Sequence, residues 1–175
     1  MPSKPRARQP SSPPAPAVSA SGDAASAARV LRRFRSVFNA VKTHFQQVEK
    51  KAGIGGAQLW ALSVIAANPD IGVGGLAKAM DVHQTTASNL VRSLVALELA
   101  VANRDGPDKR AVQLRLTAAG TRVLRKAPGP FAGVLPEALA MLDPATLARL
   151  DHDLGTLIAL LQADERAAGI PLAQM

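Results

Sequence analysis

The sequence predicts a mainly α-helical fold that carries one small β-hairpin. Apolar residues make up 47% of the 175, yet aromatics are only 3%, with no Tyr and a single Trp. A core of Leu, Val, Ile and Ala suits packed helices better than a sandwich or barrel. Apolar residues recur at steps of three and four over most of the chain, and strict alternation is confined to a short stretch ending at Leu116.

Residues 1–23 are rich in Pro, Ser and Ala and cannot bury a core, so they read as a disordered tail preceding one domain over 24–175. From Ala25 to Lys51, Val30, Phe34, Val37, Val41, Phe45 and Val48 trace one stripe, widened by Leu31 and Phe38. That is a long amphipathic helix. Gly53, Gly55 and Gly56 end it, and Ala57–Ala67 forms a second helix stopped by Asn68-Pro69. No Gly-Lys-Ser/Thr follows these glycines, so they are not a phosphate loop. Two short helices, Gly74–Met80 and Gln84–Leu97, are separated only by Asp81-Val82-His83. Ala100–Arg104 and Ala111–Leu116 then read as strands, with Val112, Leu114 and Leu116 on one face and Gln113 and Arg115 on the other. A charged turn, 105–109, joins them. A helix starting at Thr117 is interrupted at Pro128, Gly129 and Pro130 and again at Pro136. Asp143-Pro144 offers an N-cap with Pro at the first helical position, and Leu147, Leu150, Leu154, Leu157 and Leu161 follow at helical steps.

Charge is unevenly spread. The net is +8, with seven bases against one acid in residues 24–52, eight against three in 82–126, and two against six in 127–175. That points to a polyanion-facing surface and a separate acidic segment. The absence of Cys excludes disulfides, thiol switching and Cys-ligated zinc. His44, His83 and His152 fall on separate elements, and Asp151-His152-Asp153 would point in different directions from a helix, so no metal site is expected. The chain has no apolar run long enough to span a bilayer and no apolar leader, which leaves a soluble cytoplasmic protein as the default. No G-x-S-x-G, H-E-x-x-H or nucleophilic Cys is present, so neither an enzyme nor a cofactor is implied.

Two short helices joined by a three-residue turn and followed by a hairpin follow the plan of a winged helix-turn-helix, over about 57–117. In that plan the second helix enters the major groove of double-stranded DNA. Gln84, Thr85, Thr86, Ser88, Asn89 and Arg92 are suited to base edges: amides pair with adenine, Arg with guanine, and Thr touches a thymine methyl. Small polar residues also open ordinary capped helices, so this stretch alone leaves both readings open. Arg104 and Lys109 are placed for phosphates, although for Lys109 and Arg115 a solvated charge serves equally well.

Asp108-Lys109-Arg110 with Leu114, Leu116 and Thr117 fits the pattern D-x-R-x-x-x-(apolar)-x-L-T. Together with Leu76-Ala77, Asp81-Val82, Ser88, Leu94, Leu97 and Ala118-Ala119-Gly120, this resembles the MarR family of regulators, with looser agreement over about 25–162. The resemblance implies that Arg110 enters the minor groove and that Asp108 orients it. A narrow minor groove, which concentrates negative potential, suits an Arg. It also implies that the helices about 25–51 and 120–162 make a homodimer on a pseudo-palindromic site. Their stripes are wider than one thin domain can cover, although an intramolecular pair would show the same stripe. Family members bind small aromatic or phenolic anions between the two lobes, which makes Phe34, Phe38, His44 and Trp60 the side chains of interest, each of which serves equally as core. The three prolines of 127–140 depart from the family's continuous linker helix. The reading is a sequence-specific regulator, a repressor released by a ligand, with a non-specific architectural DNA binder as the alternative.

Overall fold

The computed structural model describes residues 19–103, 112–164 and 168–174, with side chains from residue 23. In chain order the elements are α1 (Ser19–Ala52), α2 (Gly56–Ala67), α3 (Val73–Ala79), α4 (Gln84–Ala96), β1 (Ala100–Asn103), β2 (Gln113–Leu116), α5 (Ala118–Lys126), α6 (Val134–Ala140), α7 (Pro144–Leu161) and a 3₁₀ turn, Leu172–Gln174. This is a mainly helical winged helix-turn-helix with a two-stranded wing.

The chain divides into two units, at residues 36 and 37 within α1. In the first, the helix starts at Ser19 rather than Ala25, so its opening turn takes up residues assigned from sequence to the tail. The last proline before it is Pro16, and nothing in Ser19–Asp23 lacks a backbone donor. Val30 and Leu31 are exposed on this unit, and Phe34 is half-buried.

The second unit holds the core. Leu62 and Ile65 of α2, Leu76 of α3, Leu90 and Leu94 of α4 and Leu114 of β2 are all but sealed from solvent. Each sits on the apolar face its spacing predicts, and each buried Leu or Ile contributes roughly 1.5–3 kcal/mol by leaving water. Two helix ends set the geometry. At the end of α3, the N–H of Val82 donates to Ala77 O at 3.0 Å and that of Asp81 to Lys78 O at 3.2 Å, with Asp81 at φ 51. At the end of α4, Leu99 donates to Leu94 O at 2.9 Å and Glu98 to Val95 O at 3.0 Å, with Glu98 at φ 56. Both are Schellman closures with a left-handed residue where Gly is usual. The first makes the turn between the two short helices, and the second aims the chain into the wing.

The strands pair antiparallel, Ala100 opposite Leu116 and Asn103 opposite Gln113. The α2–α3 loop adds an edge, Leu114 N–H donating to Ile71 O at 3.0 Å and Asp70 N–H to Leu114 O at 3.2 Å. Thr117 caps α5 by accepting from Gly120 N–H at 3.0 Å. The expected helical span 120–162 is divided into α5, α6 and α7, with Pro128, Gly129 and Pro130 in the first gap. Pro136 corrects one expectation: it does not interrupt a helix but lies in the first turn of α6, where its missing N–H would have had no partner. Asp143 caps α7 by accepting from Thr146 N–H at 3.0 Å. No residue of α6 or α7 is buried. Past α7 the chain returns to the core: Ala168–Gln174 is a strap against α2 and α4, with Pro171 buried.

Candidate nucleic-acid interface

Helix α4 has two faces because its apolar residues fall three and four apart. Ala87, Leu90, Val91 and Leu94 are buried, while Gln84, Thr85, Asn89 and Arg92 are exposed. Ser88 is half-buried beside them. Arg92 Nη2 donates to Asn89 Oδ1 at 2.7 Å, so two of the base-edge candidates already form one paired unit. Thr86 differs from its neighbours: it is half-buried, and its hydroxyl donates to Gly169 O at 3.3 Å. Gln58 braces the helix from α2, accepting from Gly55 N–H at 2.9 Å and donating to Ser93 Oγ.

The wing's tip lies outside the described residues, and with it Arg104, Asp108, Lys109 and Arg110. At the wing's base Arg115 chelates Asp70 through Nε and Nη2. The hydrogen bond to Arg115 holds the Asp70 carboxyl below its usual range and raises the guanidinium in turn. Arg115 therefore serves the fold by tying the wing to the α2–α3 loop.

Three of the pocket candidates, Phe38, His44 and Trp60, do not come together. A cavity of about 590 Å³ is walled by Val41, Phe45, Trp60, Met80, Leu139 and Ile170, among others, and Trp60 is the one of the three on its wall. Phe38 lines a separate groove with Lys42, Gln46 and Leu172. His44 Nε2 donates to, and is fixed by, Pro130 O at 2.9 Å, while its ring meets Phe45 edge-on, so it anchors the linker. Phe34 belongs to the N-terminal unit. Sequence reasoning missed the strap; the apolar triplet Ile170-Pro171-Leu172 beyond the last leucine stripe was the available signal. Among the described residues no group of three or more His, Asp or Glu is arranged to hold a metal ion, and no helix is long and apolar enough to cross a membrane.

Comparison with known proteins agrees with this geometry. Residues 52–111 match the MarR family. A Thauera aromatica protein named for transcriptional regulation of the hcr operon is 33% identical over 102 residues, 58% of this chain; the match spans 57% of that relative's length. A crystal structure of a MepR-like protein complexed with pseudoligands superposes with a TM-score of 0.54 at 20% identity, covering 74% of this chain and 94% of that one. A MepR–DNA complex from S. aureus does so at 0.51 and 21%, covering 75% and 94%. At such identities the two structures establish the shared fold.

Proposed function

We propose that the chain is a member of the MarR family, which residues 52–111 match, and that it is a sequence-specific DNA-binding transcriptional regulator. In the full reading it is a homodimeric repressor on a pseudo-palindromic duplex, released by a small aromatic or phenolic ligand. One observation carries the DNA reading: α4 presents Gln84, Thr85, Asn89 and Arg92 to solvent from a helix whose opposite face is locked into the core. A rigid helix with amides and a guanidinium on its outer face can satisfy base edges in the major groove. Arg104, Lys109 and Arg110 add bases for the phosphates and the minor groove, with Asp108 as the partner of Arg110.

The dimer reading is supported by apolar residues of the C-terminal helices that stay exposed among the described residues. Met141 is 87% exposed and Leu160 78%, and α7 buries none of its leucines. Apolar surface of this kind is removed from water by a second copy. The ligand reading is supported by the cavity's size, which falls within the ordinary range for small-molecule sites, and by Trp60 on its wall.

The test is selection of binding sites from random double-stranded DNA, followed by titration of selected and random duplexes across a salt series. The selected site should bind roughly a thousandfold or more tighter than random DNA, and Lys109→Ala should lower the salt slope on every sequence. Arg110→Ala should cost most on sites with A·T-rich flanks. Equal affinity for selected and random duplexes would refute sequence reading and leave an architectural binder.

A further inference from the structure

We propose that the C-terminal strap, Ala168–Gln174, is an autoinhibitory contact that competes with DNA for the N-terminal end of α4; the proposal rests on the DNA reading above. Gly169 O accepts from both the backbone N–H of His83 and the hydroxyl of Thr86, each at 3.3 Å. These are the residue before the helix and a residue of its first turn, where a recognition helix meets base edges. While the strap is docked, the Thr86 hydroxyl is engaged and its side chain half-covered. Further along, Ala173 and Gln174 border a cleft of about 320 Å³ with Asn89 and Ser93, so the strap follows one flank of the helix for most of its length.

The strap is held lightly. Both hydrogen bonds are longer than the usual 2.9–3.0 Å. Pro171 is buried, but Ile170 is 45% and Leu172 40% exposed. A segment with few buried apolar contacts opens at low cost. It also offers DNA nothing in return. Residues 167–175 carry no charged side chain, and the three residues before them, Asp164, Glu165 and Arg166, are net acidic by one charge. Loss of the strap therefore favours binding. Ile170, Pro171 and Leu172 also wall the 590 Å³ cavity, so whatever fills that cavity acts on the same strap.

The apparent affinity for DNA falls by the fraction of molecules whose strap is undocked. Two hydrogen bonds at the weak end of their ordinary net worth favour docking by about tenfold, which sets the expected size of the effect.

Two variants test this on a duplex selected by the full chain. One ends at Asp164. The other, His83→Cys with Gly169→Cys, staples the strap in a chain that has no other cysteine. A Cβ on Gly169 lies 2.9 Å from His83 Cγ, which brings the two Cβ atoms within disulfide reach. Titration of oxidised and reduced samples makes each stapled molecule its own control, and thermal unfolding verifies that the shortened chain is folded. The expected result is selected-duplex binding lost when oxidised and restored when reduced, and about tenfold tighter for the folded shortened chain than for the full one. Equal affinities in both comparisons overturn the proposal, as does weaker binding by the folded shortened chain, which would make the strap part of the DNA contact. No binding by the full chain to any selected duplex would instead sink the DNA reading, and this inference with it.

Discussion

Gly120→Ala tests how the wing is joined to the linker helix. Gly120 is buried in the first turn of α5, and a methyl group there would run into the carbonyl of Leu99, meeting its carbon at 3.0 Å and its Cα at 3.4 Å. That carbonyl is already committed, because it accepts from Thr117 N–H at 3.1 Å. Thr117 in turn donates its hydroxyl to Glu98 O at 2.7 Å and caps Gly120. A methyl group must therefore push backbone, not a flexible side chain. Overpacking costs about 1–3 kcal/mol and weakening the Thr117 bond adds about 1 kcal/mol. The better helix propensity of Ala returns about 1 kcal/mol. The net is a loss of about 1–3 kcal/mol, or roughly 2–12 °C in Tm for a chain of this size. The assay is thermal unfolding by far-UV circular dichroism at fixed protein concentration, since the Tm of the proposed dimer would depend on it. Gly74→Ala is the control: its Cβ would meet nothing within 4 Å, and it should be neutral or slightly stabilising. A Gly120→Ala chain melting at or above the wild type would refute the reasoning.

The Arg92–Asn89 hydrogen bond makes the two residues a unit, so each Ala variant should lose about 1–3 kcal/mol per half-site on the selected duplex. The double variant should lose less than the sum, and strict additivity in a double-mutant cycle would show that they act separately. Asp70, with its pKa lowered by Arg115, contributes stability that is present above the ordinary carboxylate range and lost as pH falls through its folded value. The Tm difference between wild type and Asp70→Asn should therefore vanish in acid, and a difference that persisted there would break the linkage. Glu98→Gly relieves a left-handed residue at the end of α4 and should raise stability by about 0.5–1 kcal/mol in denaturant titration; a loss would mean that the Glu side chain matters. Gly133→Ala meets both a backbone at φ 99 and Phe45 Cζ at 2.8 Å, so it should disturb the cavity and shift the fluorescence of Trp60, where an unchanged spectrum would count against that packing.

Residues 57–103 and 112–117 were legible because local pattern and global packing agree there. The alternation of Val112, Leu114 and Leu116 marked β2, and the spacing of Leu90, Val91 and Leu94 marked the buried face of α4. The turn between the short helices was placed correctly, but its mechanism was not visible, since nothing in the letters says that Asp81 adopts a left-handed backbone. Pro136 misled because the same residue breaks a helix interior and suits a first turn, and only the position of the α6 start distinguishes the two. The pocket candidates shared a compositional argument, large or aromatic side chains on facing stripes. Their destinations were set by contacts remote in sequence: Trp60 faces strap and linker, while His44 was claimed by the Pro130 carbonyl. The strap itself has no period to read, and its place depends on a groove between α2 and α4 that exists only after folding.

The interrupted linker gives the strap its importance. A continuous helix from the wing to the last leucine stripe would transmit a displacement along its own axis. Here residues 127–133 break that rod, and the break is pinned to α1 at two points, the Pro130 carbonyl on His44 and Gly133 against Phe45. Phe45 and Gly133 are also walls of the cavity, and Ile170, Pro171 and Leu172 of the strap form part of the same wall. The next carbonyl along the strap from that wall, that of Gly169, holds Thr86 at the start of α4. The route from cavity to DNA face is thus a few residues of strap, not a long helix. An effect on α4 then requires a change in two weak hydrogen bonds and one buried proline, which small differences in occupancy can supply.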